Sequence, residues 1–107
     1  MLLVDLSKMD IKRRKQLRAS GHSLHPLVTV AAKGLADTVI AEIQCALHDH
    51  ELIKVKFQVA DRSEKQALIT QVCAVCDCAL VQQIGHVALL YKANPEAKPN
   101  LSKAPRG

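Results

Sequence analysis

The chain has 107 residues, of which 49% are hydrophobic and 23% charged, and its formal net charge is +5. That composition excludes an intrinsically disordered chain, and the length suits one domain with a buried core. Aromatic residues are 2%, Phe57 and Tyr91 with no Trp, which argues against platforms that stack bases on several rings.

Ser7 to about Ala19 reads as a first helix, with Ser7 as cap, Asp10 near the positive end of the dipole and Gly21 as the stop. Its run Lys12-Arg13-Arg14-Lys15 covers a full turn, so it cannot all point one way. Leu27 to Ala31 is a β-branched run behind Pro26, which suits the first position of a strand. Ala31-Ala32-Lys33-Gly34 is a short loop. From about Ala36 to Asp49 a second helix is predicted, because Leu35, Val39, Ile43 and Leu47 form one apolar stripe with Ile40 beside it. His48 and His50 fall at its negative end.

Leu52 to Val59 alternates. Ile53, Val55, Phe57 and Val59 share one face, and Lys54, Lys56 and Gln58 share the other. Two overlapping capping patterns follow, Asp61 with Glu64 and Ser63 with Gln66. They open a third helix that runs to about Cys76, with Leu68, Ile69, Val72 and Val75 as its core rows. Leu80 to Ile84 and Val87 to Tyr91 flank Gly85-His86, a two-residue hairpin signal. Beyond Ala93, Pro95, Pro99 and Pro105 break any regular element. The order α-β-α-β-α-β-β predicts a two-layer α/β domain, with helices on one sheet face and the other face partly open. Residues 1–6 and 93–107 read as flexible ends around a domain of residues 7–92.

Charge is concentrated at the two ends: residues 1–26 carry +4 and residues 92–107 carry +3, while the middle is nearly neutral. Such a layout favours a polyanion, nucleic acid before anionic membrane. No segment approaches the roughly 20 apolar residues of a membrane helix. The start Met-Leu-Leu-Val-Asp-Leu lacks the basic and apolar regions of a signal peptide. A cytoplasmic protein without structural disulfides is expected.

The loop before the second helix is a candidate anion site. Backbone N–H groups point outward at a helix start, Gly34 permits close approach, and Lys33 adds a charge. Cys73-x-x-Cys76-x-Cys78, with Cys45 upstream, is half a zinc pattern with no second pair, and it sits at a helix C-terminus where a thiolate is disfavoured. Packing is the simpler reading for small thiols. His22, His25, His48, His50 and His86 have no metal-ligand spacing. No nucleophile triad, Walker loop or paired-carboxylate pattern is present. No enzyme, no metal and no cofactor is expected.

Five stretches carry a resemblance: Leu24-His25-Pro26-Leu27-Val28, Lys33-Gly34-Leu35, Val39-Ile40-Ala41-Glu42-Ile43, His50-Glu51-Leu52-Ile53-Lys54-Val55-Lys56, and Val81 through Ile84-Gly85 to Tyr91. Together they resemble a CRM domain, the chloroplast RNA splicing and ribosome maturation family, and most closely its single-domain bacterial YhbY-like form. The resemblance spans roughly Leu6 to Lys92. It implies a mixed four-stranded sheet in a small α/β sandwich similar to the C-terminal domain of translation initiation factor three. It also implies an RNA-binding protein without catalysis, a ribosome-assembly factor on precursors of the large subunit; separately, a monomer is expected. The RNA contact implied resembles the GxxG loop of KH domains, which clamps the nucleic-acid backbone. That loop falls on Ala31, Ala32, Lys33 and Gly34, with alanine at the first glycine position.

The RNA surface expected from residues and resemblance together is Lys12, Arg13, Arg14, Lys15 and Arg18 on the first helix, the loop Ala31 to Gly34, and Lys54 and Lys56 on the open strand face. Two other readings stand beside it. One is a module that docks on a ribosomal protein or assembly factor. The other is a zinc or thiol-redox protein using Cys73, Cys76 and Cys78.

Overall fold

The computed structural model describes residues 11–94. Its elements follow the expected order: α1 (Ile11–Gly21), β1 (Pro26–Ala31), α2 (Asp37–His50), β2 (Leu52–Gln58), α3 (Arg62–Cys76), β3 (Ala79–Ile84) and β4 (Val87–Tyr91). Ser7 and Asp10, the expected cap of the first helix, lie outside the described residues.

The strands form one sheet in the order β1-β2-β4-β3. β1 runs parallel to β2, whereas β4 is antiparallel to both β2 and β3. The expected mixed four-stranded α/β fold is therefore present. A parallel neighbour needs a crossover, and α2 supplies it between β1 and β2.

The alternation in β2 explains why the sheet is two-sided. Ile53, Val55 and Phe57 point to one face and pack with Val28 and Val30 of β1, Ile43 and Leu47 of α2, and Ile69, Val72 and Cys76 of α3. Each such side chain, once withdrawn from water, stabilises the fold by roughly 1.5–3 kcal/mol. Leu52 points the other way, into a smaller cluster of Leu17, Val81, Leu89 and Tyr91, with Leu24 against it. Only α2 and α3 share a face. The helices were expected together, but α1 lies across the sheet from them, because Leu17 is its one large buried side chain and meets this second cluster.

Two further expectations change. Gly21 does not stop α1 from outside but is its last residue, and it is buried. A Cβ there would lie 2.6 Å from both Leu89 methyl carbons, so glycine is needed for close packing. Val75 is not a core residue, being 46% exposed. The inward row of α3 is Ile69, Val72 and Cys76, which leaves Val75 beside the stripe.

The start of α3 follows the sequence. The Asp61 side chain accepts a hydrogen bond from the Glu64 backbone N–H at 3.0 Å. Gly85 takes φ +58° in the β3–β4 turn, as the hairpin signal required. The end of α2 has no such signal. Glu51 adopts φ +62° and is 4% exposed. Its carbonyl accepts from Lys92 N–H at 2.9 Å and its carboxylate from Asn94 N–H at 2.8 Å. The Asn94 side-chain amide donates to the His48 carbonyl at 2.7 Å. The chain leaving β4 is thereby held to the end of α2.

Candidate nucleic-acid interface

The loop Ala31 to Gly34 connects the end of β1 to α2. Ala31 is still in the strand and pairs with Gln58. Its carbonyl accepts from Gly34 N–H at 3.0 Å, which makes the four residues a tight turn. Gly34 has φ +99°, and a Cβ added there would meet nothing within 4 Å. Glycine is therefore required here by backbone conformation and not by crowding. Ala31 has no positive φ, so an L residue fits the first position of the pattern without strain. Ala32 and Lys33 at the turn's centre are exposed. The residue before α2, Ala36, makes no side-chain cap hydrogen bond, so no cap side chain satisfies the early N–H groups of α2, whose first turn carries Asp37.

The α1 residues are placed differently. Lys12 and Lys15 are exposed, whereas Arg13, Arg14 and Arg18 are half-buried. Arg13 Nη2 donates to Tyr91 Oη at 3.2 Å, and its guanidinium lies 5.5 Å from the ring centroid. Tyr91 pairs with Leu52 at the start of β2, while Ala31 pairs with Gln58 at its end. Those ends are about 20 Å apart at the usual strand rise. The basic helix and the loop are thus not brought together.

Lys54 and Lys56 bridge that interval. Both project from β2 on the α1 side of the sheet, Lys54 half-buried and Lys56 exposed. Lys54 Nζ reaches the His22 carbonyl at 3.5 Å, just past the end of α1. Lys56 pairs with Thr29 of β1 and Val87 of β4, toward the loop.

Sequence reasoning missed three residues at the loop end. Lys56 pairs with Val87, so the β3–β4 turn and the start of α3 gather at the same end of the sheet as Ala31 to Gly34. Lys65 Nζ donates to the Gly85 carbonyl at 3.2 Å and lies 3.5 Å from His86 Nδ1. Arg62, the first residue of α3, is exposed. The hairpin register was the available signal, because it fixes which turns share an end.

The three cysteines at the end of α3 interact with one another. A hydrogen bond with the Cys78 thiol lowers the Cys73 thiol below its ordinary value, against the opposing effect of burial. The same bond, with burial, pushes Cys78 far up. Burial also raises Cys76, with Lys92 opposing. Among the described residues no group of three or more His, Cys, Asp or Glu side chains is arranged to hold a metal ion.

The CRS1/YhbY (CRM) domain model matches residues 9–92. The chain belongs to this family. It is 45% identical over 95 residues to PA4753 of Pseudomonas aeruginosa, covering 89% of this chain and 91% of that protein. It is 40% identical over 98 residues to a Haemophilus influenzae protein named RNA-binding protein, covering 92% of this chain and 99% of that one. The solution structure of SAV1595 from Staphylococcus aureus superposes with a TM-score of 0.71 at 28% identity, over 81% of this chain and 91% of that chain. The CRM expectation and the fold expectation are both met. No helix among the described residues is long and apolar enough to cross a membrane.

Proposed function

We propose that this protein binds RNA mainly through the phosphate backbone, and that its target is the large-subunit rRNA precursor during ribosome assembly. The observation that carries the reading is the loop. A glycine at φ +99° closes a turn whose exposed centre holds Lys33, directly ahead of a helix start without a side-chain cap. Outward N–H groups, the positive end of a helix and a lysine together suit a phosphate. Lys56, Lys54 and then Lys12 and Lys15 continue positive charge across the α1 side of the molecule, a path that an RNA backbone can follow. Membership of the family and the name of the Haemophilus relative support RNA as the partner. The binding unit is residues 7–92, acting as a cytoplasmic monomer, with the basic residues of 93–107 adding charge.

Salt titration tests the reading. Affinity for a structured rRNA fragment should fall steeply between 50 and 200 mM salt, because each neutralised phosphate releases counterions. Lys33→Glu should weaken binding with the fold intact. Affinity that ignores salt, or an unchanged Lys33→Glu protein, would remove phosphate contact at the loop from the account.

A further inference from the structure

Past the end of α1, the α1 side of the sheet carries a shallow trough of about 260 Å³. Its floor is apolar, formed by Leu89 and Val87 of β4, Ile84 of β3 and Pro26 of β1. Ile84 is a large strand residue left 64% exposed. The polar lining is Lys54, which rises from β2 between Pro26 and Leu89, Gln82 of β3, and His22 with Leu24 at the end nearest α1. Lys56 pairs with Val87, so it rises from the strand beside the floor. No carboxylate lines the trough.

An apolar floor flanked along its β2 side by two lysines, with an amide and an imidazole at the edge, matches one kind of occupant. An unpaired nucleotide has an apolar base face, a hydrogen-bonding base edge and an anionic phosphate on each side. Gln82 can both donate to and accept from a base edge. An apolar peptide would fill the floor but would leave the lysine pair unmatched. A bare phosphate would satisfy the lysines but leave the floor wet.

We propose that this trough is a base-binding subsite, in which an unpaired RNA nucleotide lays its base on Ile84 and Val87, above the buried Leu89, while its flanking phosphates meet Lys54 and Lys56. The inference rests on the RNA-binding reading above and adds a base contact to it. The subsite lies between the basic helix and the Lys33–Gly34 loop, so a strand running from one to the other passes over it. In an otherwise aromatic-poor protein, it gives the base an aliphatic surface in place of a ring.

The test uses the full chain with methyl-labelled Ile, Leu and Val, and two probes of equal charge: a uridine tetranucleotide and an abasic ribose-phosphate chain of the same length. The Ile84, Val87 and Leu89 methyl signals should shift with the tetranucleotide and stay in place with the abasic chain. Ile84→Ser, at an exposed position, should keep its unfolding midpoint. It should bind the tetranucleotide about fivefold more weakly, the scale of one or two methylene groups withdrawn from water, and bind the abasic chain as the parent does. Equal binding of both probes, or still methyl signals, would overturn the subsite. If a structured rRNA fragment still bound with steep salt dependence and a Lys33→Glu defect, the broader RNA reading would survive that result. Concentration-dependent sedimentation that Ile84→Ser abolishes would also overturn the subsite, by making the trough an interface between copies.

Discussion

Arg13 and Tyr91 hold the first helix to the last strand. The guanidinium donates to the phenol oxygen at 3.2 Å and sits 5.5 Å from the ring centroid. In sequence Arg13 is one of four consecutive basic residues, yet its charge is directed inward to a residue only 8% exposed. Lys12 and Lys15 remain exposed. Arg13→Ala should therefore lower stability by about 1 kcal/mol, the combined scale of a cation–π contact and a hydrogen bond. It should weaken RNA less than Lys12→Ala/Lys15→Ala together. Urea unfolding and RNA titration of the same variants check both parts.

Gly21 and Leu89 give a test with a change of sign. Ala is the better helix former, by about 1 kcal/mol in a helix interior and by less at a last residue such as Gly21. Here its Cβ would lie 2.6 Å from both Leu89 methyl carbons, and Leu89 is itself buried in the Leu17 cluster. Forcing Leu89 from its rotamer costs about 1–3 kcal/mol. Gly21→Ala should be net destabilising by about 1 kcal/mol in the parent protein. In a Leu89→Ala background the obstacle is gone, and the same change should stabilise, by less than about 1 kcal/mol at this helix end. A double-mutant cycle by urea unfolding reads this directly.

The strands and helices were legible because the local signals agree. The alternation in β2, the stripe of α2, the Asp61 cap and the Gly85 turn each point to the observed element. The side of the sheet that α1 occupies was not legible. Its basic run has no strong apolar stripe, and its docking depends on Leu17 and a missing Cβ at Gly21. Glu51 was opaque for another reason. A buried carboxylate with φ +62° makes sense only once Lys92 and Asn94 return from the far end of the chain. At the candidate site, the loop and its glycine were readable locally. That Lys65 and His86 share an end with Lys33, while Arg13 does not, follows from the strand register together with the Lys65–Gly85 and Arg13–Tyr91 contacts.

The thiols at the end of α3 predict how stability responds to alkali. Burial raises Cys76, and hydrogen bonding to Cys73 followed by burial raises Cys78, both from an ordinary 9.0. A raised thiol holds its proton more tightly in the native state. Its contribution is full below pH 9 and is lost as pH rises through the folded value. Cys73, lowered, acts in the opposite sense and adds stability at high pH. The Cys73 contribution is already complete above pH 9, so only the two raised thiols still change there and stability should decline. Cys76→Ala removes one raised group without touching the Cys73–Cys78 bond, so its decline between pH 8.5 and 10 should be shallower. Cys73 should also react with iodoacetamide before Cys76 and Cys78, as mass spectrometry of partial digests would show.

The two ends of the Ala31–Gly34 turn should differ in what mutation does to RNA binding. Gly34 holds φ +99° with open space around it, so Gly34→Ala meets no clash but adopts a backbone region costly for an L residue, by about 1–2 kcal/mol. Relaxation of the turn would redirect Lys33 and the first N–H groups of α2. RNA affinity should fall more than stability alone explains, and raising the protein concentration should not restore it to the parent curve. Ala31 has no positive φ and ends a paired strand. Ala31→Gly, which would complete the GxxG pattern, should therefore leave the turn unchanged. It should cost about 0.5–1 kcal/mol through added freedom in the unfolded chain, and RNA affinity should stay within twofold of the parent. A large gain in affinity from Ala31→Gly would mean that the Ala31 methyl group obstructs the phosphate, and that the close approach is made at residue 31 instead of Gly34.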